Sequence, residues 1–212
     1  MNKQKIVIIG YGWIGQANAL ALSHFGYKVS FFDINSDVPH HYANTYASEY
    51  AKVSYLPDPR AVDSEDTVYM VCVGDKVSDD GEQDISLIKG ALTSLEGVQG
   101  TVVLRSTIVP DLLRELTFDY YLPEFLHEKK AVEECINPYL FVVGKNTDKK
   151  EPEFFATWRK LAHKVFDGLP EDSAHIKYIS NLWNSVRIAF VNEIGDAITH
   201  PDSPDEIGRA HV

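Results

Sequence analysis

The chain has 212 residues, 44% of them hydrophobic, and a formal net charge of −11. That length fits one domain, or one domain with a small attachment, and the apolar content is enough for a real core. The acidic balance argues against non-specific nucleic-acid binding, which needs a basic face, so an anionic ligand would have to be drawn by local features such as helix N-termini and a few Lys or Arg.

The first predicted element is an apolar strand, Ile6–Ile9, which runs straight into Gly10-x-Gly12-x-x-Gly15. A helical pattern, Trp13–Phe25, starts at once. The next apolar run, Lys28–Asp33, ends on an acid that lies 23 positions after Gly10. This is the full context of a dinucleotide fingerprint rather than an isolated glycine triplet. Gly10 allows the tight turn, Gly12 lets the backbone approach a pyrophosphate, and Gly15 lets the helix pack closely on the sheet. Phosphate charge would sit on the free N–H groups at the helix N-terminus. Gly10, Tyr11, Gly12, Trp13, Ile14, Gly15 and Asp33 are therefore the candidate cofactor-binding residues. Asp33 could accept from both ribose hydroxyls and would repel a 2′-phosphate, which favours NAD over NADP. The plainer alternative is a strand–helix turn of some other α/β protein, with Asp33 a surface acid.

The stretch Asn35–Pro59 is less legible. Ala43–Lys52 reads as a helix, but His40, His41 and four tyrosines give it no clear face. The two histidines lack a third ligand at a recognisable spacing and read as solvated loop residues, so no metal is expected. Thr67–Val73, Thr101–Arg105, Tyr120–Leu122 and Leu140–Val143 read as further strands. Asp84–Leu95 reads as a helix capped by Asp84, and Pro110 suits the start of a short helix, Asp111–Leu116. Near-continuous apolarity suggests strands covered on both faces. Their alternation with helices implies a Rossmann-like α/β fold with a right-handed, doubly wound, mainly parallel sheet.

Glu151–Val165 reads as a helix with Phe154, Phe155, Trp158, Leu161 and Ala162 on its core side. The loop Asp167–Ser173, with Gly168 and Pro170, marks the expected boundary: residues 1–172 as the nucleotide-binding domain, 173–200 as a long helix and 201–212 as a polar tail. In that helix Ile176, Ile179, Trp183, Val186, Phe190, Ile194 and Ala197 recur at three- and four-residue steps, with Leu182, Ala189 and Ile198 widening the stripe. So apolar a helix must pack on the nucleotide domain, on a further domain or on a second copy, and a homodimer through residues 174–199 is the expectation. Cys72 and Cys135 form no spaced framework, which fits a reducing cytoplasm. Cys72 reads as a small buried hydrophobe and Cys135 as the more exposed of the two. The chain opens on a strand rather than a signal peptide, and no apolar run is long enough to span a bilayer.

Four further segments carry chemistry: Gly81-Glu-Gln-Asp-Ile-Ser86, Arg105-Ser-Thr-Ile-Val-Pro110, Leu122-Pro-Glu-Phe-Leu-His-Glu128 and Lys177-Tyr-Ile-Ser-Asn181. Lys177 and Asn181 stand four apart and share a helix face. An ammonium and an amide there could both reach one substrate oxygen and stabilise the charge that builds on it. From spacing alone they are better explained as ordinary helix neighbours, a solvent-facing Lys and a helix-surface Asn. Glu124 follows Pro123 at a strand end, where sites of open α/β sheets gather. Glu124 and Glu128 could orient a water or accept a proton, or be surface acids at a helix start. Thr107 follows a strand and could bind water or cofactor, or be a turn hydroxyl.

Taken in order with the glycine motif, these segments resemble the UDP-glucose/GDP-mannose dehydrogenase family up to about residue 199. Pro123-Glu-Phe-Leu and Lys177…Asn181 with Asn192-Glu193 are the specific parts. The resemblance implies oxidation of the C6 hydroxymethyl of a nucleotide-linked hexose to a carboxylate with two NAD, and a product that feeds polysaccharide synthesis. It implies that Lys177 and Asn181 hold the substrate oxygen, that Thr107, Glu124 and Glu128 act around the catalytic water or the sugar, and that Ser106 and Thr107 border the nicotinamide, with Val73 a further cofactor-binding candidate.

The departures bear on the loops. Val73-Gly-Asp75-Lys76 stands where the family has Thr-Pro, Asp111-Leu112 where it has Gly-Thr, Lys129 where it has Gly, and Leu140 where it has Arg. The family's catalytic cysteine belongs to a glycine-rich segment well past the long helix, which this sequence, read to Val212, does not reach. Neither cysteine present sits at a matching position. The second, aldehyde-to-acid oxidation needs such a thiol, so these residues alone are not expected to complete the four-electron reaction. Two other readings stay open: a β-hydroxyacid or 6-phosphogluconate-type dehydrogenase, which needs one hydride transfer, and a non-catalytic NAD-binding module.

Overall fold

The structure is a computed structural model and describes residues 4–35 and 37–198. Its elements run β1 (Lys5–Ile9), α1 (Trp13–His24), β2 (Lys28–Phe32), α2 (Ala43–Tyr50), β3 (Ser54–Tyr55), β4 (Thr67–Val71), β5 (Lys76–Val77), β6 (Gln83–Asp84), α3 (Ser86–Ser94), β7 (Thr101–Leu104), β8 (Tyr120–Tyr121), α4 (Ala131–Ile136), β9 (Leu140–Lys145), α5 (Glu153–Leu161), β10 (Lys164–Gly168) and α6 (Pro170–Ile198). Short 3₁₀ turns occupy Pro59–Val62, Pro110–Glu115 and Glu128–Lys130. The chain divides into two compact units, with the boundary between Ala174 and His175.

In the first unit one sheet of eight strands has the order β10-β9-β8-β7-β4-β1-β2-β3. Pairing is parallel throughout except between β8 and β9. The fold is thus Rossmann-like and mainly parallel, as the apolar runs imply. Alternation along β1 explains the two layers. Val7 and Ile9 face a core with Ile88 and Leu92 of α3, while Ile6 and Ile8 face one with Phe154, Phe155 and Trp158 of α5. Successive strand residues point to opposite faces, so a strand buried on both reads as unbroken apolar sequence. Helix α1 is buried from Gly15 through Ser23, packed on the sheet and, through Ala17, Leu20 and Ala21, on Ala131, Val132 and Cys135 of α4.

The register levels the strand ends. Ile9 stands opposite both Phe32 and Val71, Val71 opposite Leu104, and Leu104 opposite Tyr121. Backbone bonds continue past those ends: Gly10 N–H to Phe32 O at 2.9 Å, Cys72 N–H to Ile9 O at 2.7 Å, and Leu122 N–H to Leu104 O at 2.8 Å. Gly10, Asp33, Cys72, Arg105 and Leu122 therefore leave the sheet side by side on one edge, where parallel sheets gather ligands.

The structure corrects several expectations. The run Glu151–Val165 is not one helix: α5 stops at Leu161, and the alternating Lys164–Gly168 pairs with β9 as β10. Leu161 is exposed rather than part of the core stripe. The expected boundary loop Asp167–Ser173 is instead the end of β10 and the first turn of α6. Short elements escaped the periodicity reading: β3, the β5–β6 hairpin and α4 are too short to show a period. The Thr199 end of the long helix and the tail Pro201–Val212 lie outside the described residues, as do the side chains of Ala197 and Ile198.

The second unit is described through α6 from His175. Along it Ile179, Leu182, Trp183, Val186 and Phe190 are each exposed over more than half of their surface. Lys177 is buried, whereas Asn181 is exposed. No helix among the described residues is long and apolar enough to cross a membrane.

Candidate functional site

The glycine loop is built from three differently constrained positions. Gly10 has φ +88°, a left-handed backbone that side chains rarely adopt, and a Cβ there would press on Cys72 and Val73 at 3.1 Å. Gly15 lies so close to the turn that a Cβ would sit 2.0 Å from Gly10 O. In front of Gly12 there is nothing within 4 Å. Gly12 is also the residue that caps α1, whose first-turn N–H groups point outward from the helix end. An open space before a helix N-terminus is the arrangement that a diphosphate needs.

Asp33 closes the other side. Its Oδ2 accepts the Tyr11 N–H at 2.6 Å and its Oδ1 the Asn35 N–H at 2.9 Å. These bonds aim the carboxylate, and each oxygen keeps lone-pair capacity for a further donor. The Tyr11 ring is buried and stacks on Phe31 with centroids 3.7 Å apart. A cleft of about 640 Å³ opens here, lined among others by Gly10, Gly12, Asp33, Ile34, Val73 and, from α3, Leu87 and Ala91. Among the described residues that line it, Asp33 carries the only charged side chain. A phosphate would thus be held by backbone N–H groups and not by a Lys or Arg in the cleft. The room at Gly12, the aimed carboxylate and the apolar walls of Ile34 and Leu87 fit the adenosine half of a dinucleotide. Trp13, Ile14 and Gly15 belong to the loop and α1 and do not line the cleft.

Gln16 is a residue that sequence reading missed. It is fully buried, and its Nε2 donates to Tyr11 O at 2.7 Å and Pro39 O at 2.9 Å, while its Oε1 accepts the His41 N–H at 3.0 Å and the Tyr50 hydroxyl. One amide thus ties the glycine loop to residues 39–50. His40 is an exposed loop residue, as expected, with its ring stacked on Tyr50 at 4.5 Å, whereas His41 is half-buried in a turn and stacks on Trp13 at 3.8 Å. Among the described residues no three metal-binding side chains converge.

The neighbouring loops hold the remaining candidates. Ser106 Oγ donates to Val73 O at 2.5 Å, joining the ends of β4 and β7. Thr107 is next to it but lines no part of the cleft; its carbonyl accepts from Gln83 Nε2 at 2.9 Å. Arg105 is buried: Nε donates to Asn18 Oδ1 at 3.1 Å, and one terminal nitrogen donates to Leu122 O and Pro123 O, each at 3.0 Å. It anchors the segment that carries Glu124. Glu124 is half-buried, and its Oε2 accepts the Leu126 N–H at 2.7 Å. Residues 122–127 are not helical, so Glu124 and Glu128 do not share a helix face; Glu128 is exposed at the start of a 3₁₀ turn, and its carbonyl accepts from Tyr42 Oη at 3.0 Å. Lys177 and Asn181 keep the i, i+4 spacing on α6.

The cysteines reverse the expectation. Cys135 is buried in α4, and Cys72 is the partly exposed one. Burial pushes the Cys72 thiol up to about 12 and the Cys135 thiol up to about 11, against the opposing field of Arg105. Both are protonated at neutral pH, so neither is an activated nucleophile.

No family model matches the chain. The UDP-glucose 6-dehydrogenase of Rickettsia typhi is 27% identical over 226 residues, which cover 90% of this chain and 51% of that protein. Among solved structures, a ternary complex of GDP-mannose dehydrogenase from Pseudomonas aeruginosa superposes with a TM-score of 0.78 at 23% identity, covering 92% of this chain and 52% of that one. The 3-hydroxyisobutyrate dehydrogenase of Mycobacterium tuberculosis shares the fold with a TM-score of 0.66 at 18% identity, covering 92% of this chain and 65% of that one. The chain spans about half the length of the curated relatives it matches. Over that half the chain is similar in sequence and in fold to UDP-glucose and GDP-mannose 6-dehydrogenases.

Proposed function

We propose that this chain carries the NAD-binding part of an oxidoreductase that acts on the C6 hydroxymethyl of a nucleotide sugar. The observation that supports it most is the open space before Gly12 beside an Asp33 carboxylate aimed by the Tyr11 N–H. That carboxylate would accept from a ribose and repel a 2′-phosphate, and the described residues lining the cleft include no cation to offset the repulsion. Bound NAD would supply the hydride acceptor. By resemblance, Lys177 and Asn181 would hold the reacting oxygen and stabilise the charge left on it. Thr107, Glu124 and Glu128 would act about the water or sugar, and Val73 and Ser106 beside the nicotinamide. The protonated thiols of Cys72 and Cys135 favour a single alcohol-to-aldehyde oxidation by the residues present. The same observation gives weight to a second reading, a small β-hydroxyacid dehydrogenase, whose reaction needs no thiol. Two free cysteines also suit the reducing cytoplasm.

The test is calorimetric binding of NAD and NADP, followed by NADH production with UDP-hexoses, GDP-hexoses and free β-hydroxyacids. The expected result is NAD bound at least about tenfold more tightly than NADP, with turnover of a nucleotide sugar that disappears in Lys177→Ala. Turnover of a free hydroxyacid would establish the second reading, and binding without turnover a non-catalytic module. No NAD binding would overturn all three. We further assign the exposed row from Ile179 to Phe190 to a homodimer contact. Sedimentation equilibrium should show a dimer that Trp183→Glu dissociates, and a monomer at high concentration would refute it.

A further inference from the structure

The β5–β6 hairpin has no place in the cleft, yet one of its side chains reaches across to the loop beyond β7. The hairpin pairs Lys76 with Asp84 and Val77 with Gln83 and turns through Gly81 at φ +84°. Gln83 Nε2 donates to Asp75 Oδ2 at 2.5 Å and to Thr107 O at 2.9 Å, while Gln83 Oε1 accepts the Val109 N–H at 2.9 Å. The orientation of this amide is determined by its partners. A flip would set its oxygen against two acceptors and its NH₂ against a donor. Residues 106–109 have no regular structure of their own and are held from outside. Ser106 is fastened to Val73 O, Ile108 N–H to the Tyr121 hydroxyl at 3.3 Å, and the peptides of Thr107 and Val109 to Gln83.

The position of this loop gives the bonds a consequence. Strand β1 lies between β2 on one side and β4 and β7 on the other. A dinucleotide lying across the glycine loop places one nucleoside on each side of that switch point. Asp33 at the end of β2 marks the adenosine side, so the second nucleoside falls toward the ends of β4 and β7. We propose that Gln83 is a positioning residue that holds the Ser106–Val109 loop, and Thr107 with it, in the geometry that receives the nicotinamide half of the cofactor. This rests on reading the cleft as a dinucleotide site. A merely structural role would instead lower stability and leave the two halves of the cofactor equally well bound.

The experiment compares ADP-ribose, which lacks the nicotinamide, with NADH on the full 212-residue chain, by calorimetry and by the emission of bound NADH. In Gln83→Ala, ADP-ribose affinity is expected to stay within about twofold while NADH affinity falls roughly tenfold and its emission enhancement is lost. Gln83→Glu should behave alike, because its carboxylate would face both Asp75 and Thr107 O. Adding Asp75→Asn to Gln83→Glu returns a donor and should recover part of the NADH affinity. The proposal is overturned if Gln83→Ala leaves both affinities unchanged, lowers both in parallel, or if the double variant recovers nothing. If the unmodified chain binds neither ligand, the dinucleotide reading fails and the role of Gln83 falls with it.

Discussion

The two sides of the cleft are held in different ways. On the β1–β2 side the backbone itself supplies the geometry: Gly10 turns, Gly15 lets α1 touch the turn, and the Tyr11 N–H aims Asp33. On the β4–β7 side the loops are fastened by side-chain bonds between segments far apart in the chain, Gln83 to Thr107 and Val109, Ser106 to Val73, and Arg105 to Asn18, Leu122 and Pro123. Where backbone packs on backbone, as at Gly15, no added atom is tolerated. A site held by side-chain bonds loses them one at a time.

The largest effect should come from Gly15→Ala. Its Cβ would meet Gly10 O at 2.0 Å, backbone against backbone with no flexible end to yield, and a loss of about 3 kcal/mol or more in urea unfolding is expected. An unchanged midpoint would show that α1 can shift away from the turn. Arg105→Met comes next, at about 2–3 kcal/mol, because three acceptors lose a buried donor while the cost of burying the charge is relieved. Arg105→Lys should recover only part, since a single ammonium cannot reproduce the planar fork.

The same fastening recurs at the opposite end of the sheet, and it is titratable. Burial opposes the charge on Asp63, but the N–H groups of Gln99 and Gly100 and the Tyr69 hydroxyl outweigh it and hold its pKa below the ordinary value. A carboxylate with a depressed folded pKa contributes stability that is present above its unfolded pKa, near 4, and is lost as pH falls through the folded value. Asp63→Asn should therefore cost roughly 1–2 kcal/mol at pH 7, with the difference from the unmodified chain shrinking below about pH 4. A pH-independent difference would assign the effect to packing. Smallest in stability is Gly12→Ala, with nothing within 4 Å to resist it and an expected change within about 0.5 kcal/mol. NAD affinity should nonetheless drop at least about tenfold, since the methyl would fill the space before the helix N-terminus. Equal NAD binding by Gly12→Ala would remove the main support for the phosphate position.

The sequence by itself determined the β1–β2 side. The fingerprint is local: each glycine acts within a few residues of its neighbours, and the continuous apolar runs carry the parallel sheet because burial on both faces leaves no alternation to hide. The stripe on α6 was legible for the same reason, as helix period acts over four residues. Only the tertiary structure decided the rest. It placed Gln83 against Thr107, Arg105 against Asn18, and His41 against Trp13, pairs 24, 87 and 28 positions apart along the chain. It also left residues 122–127 without helical structure, so that Glu124 and Glu128 do not share a helix face, and it set Cys135 rather than Cys72 in the interior. A polar side chain has no period, and its partner is chosen by whichever backbone groups folding leaves unpaired nearby.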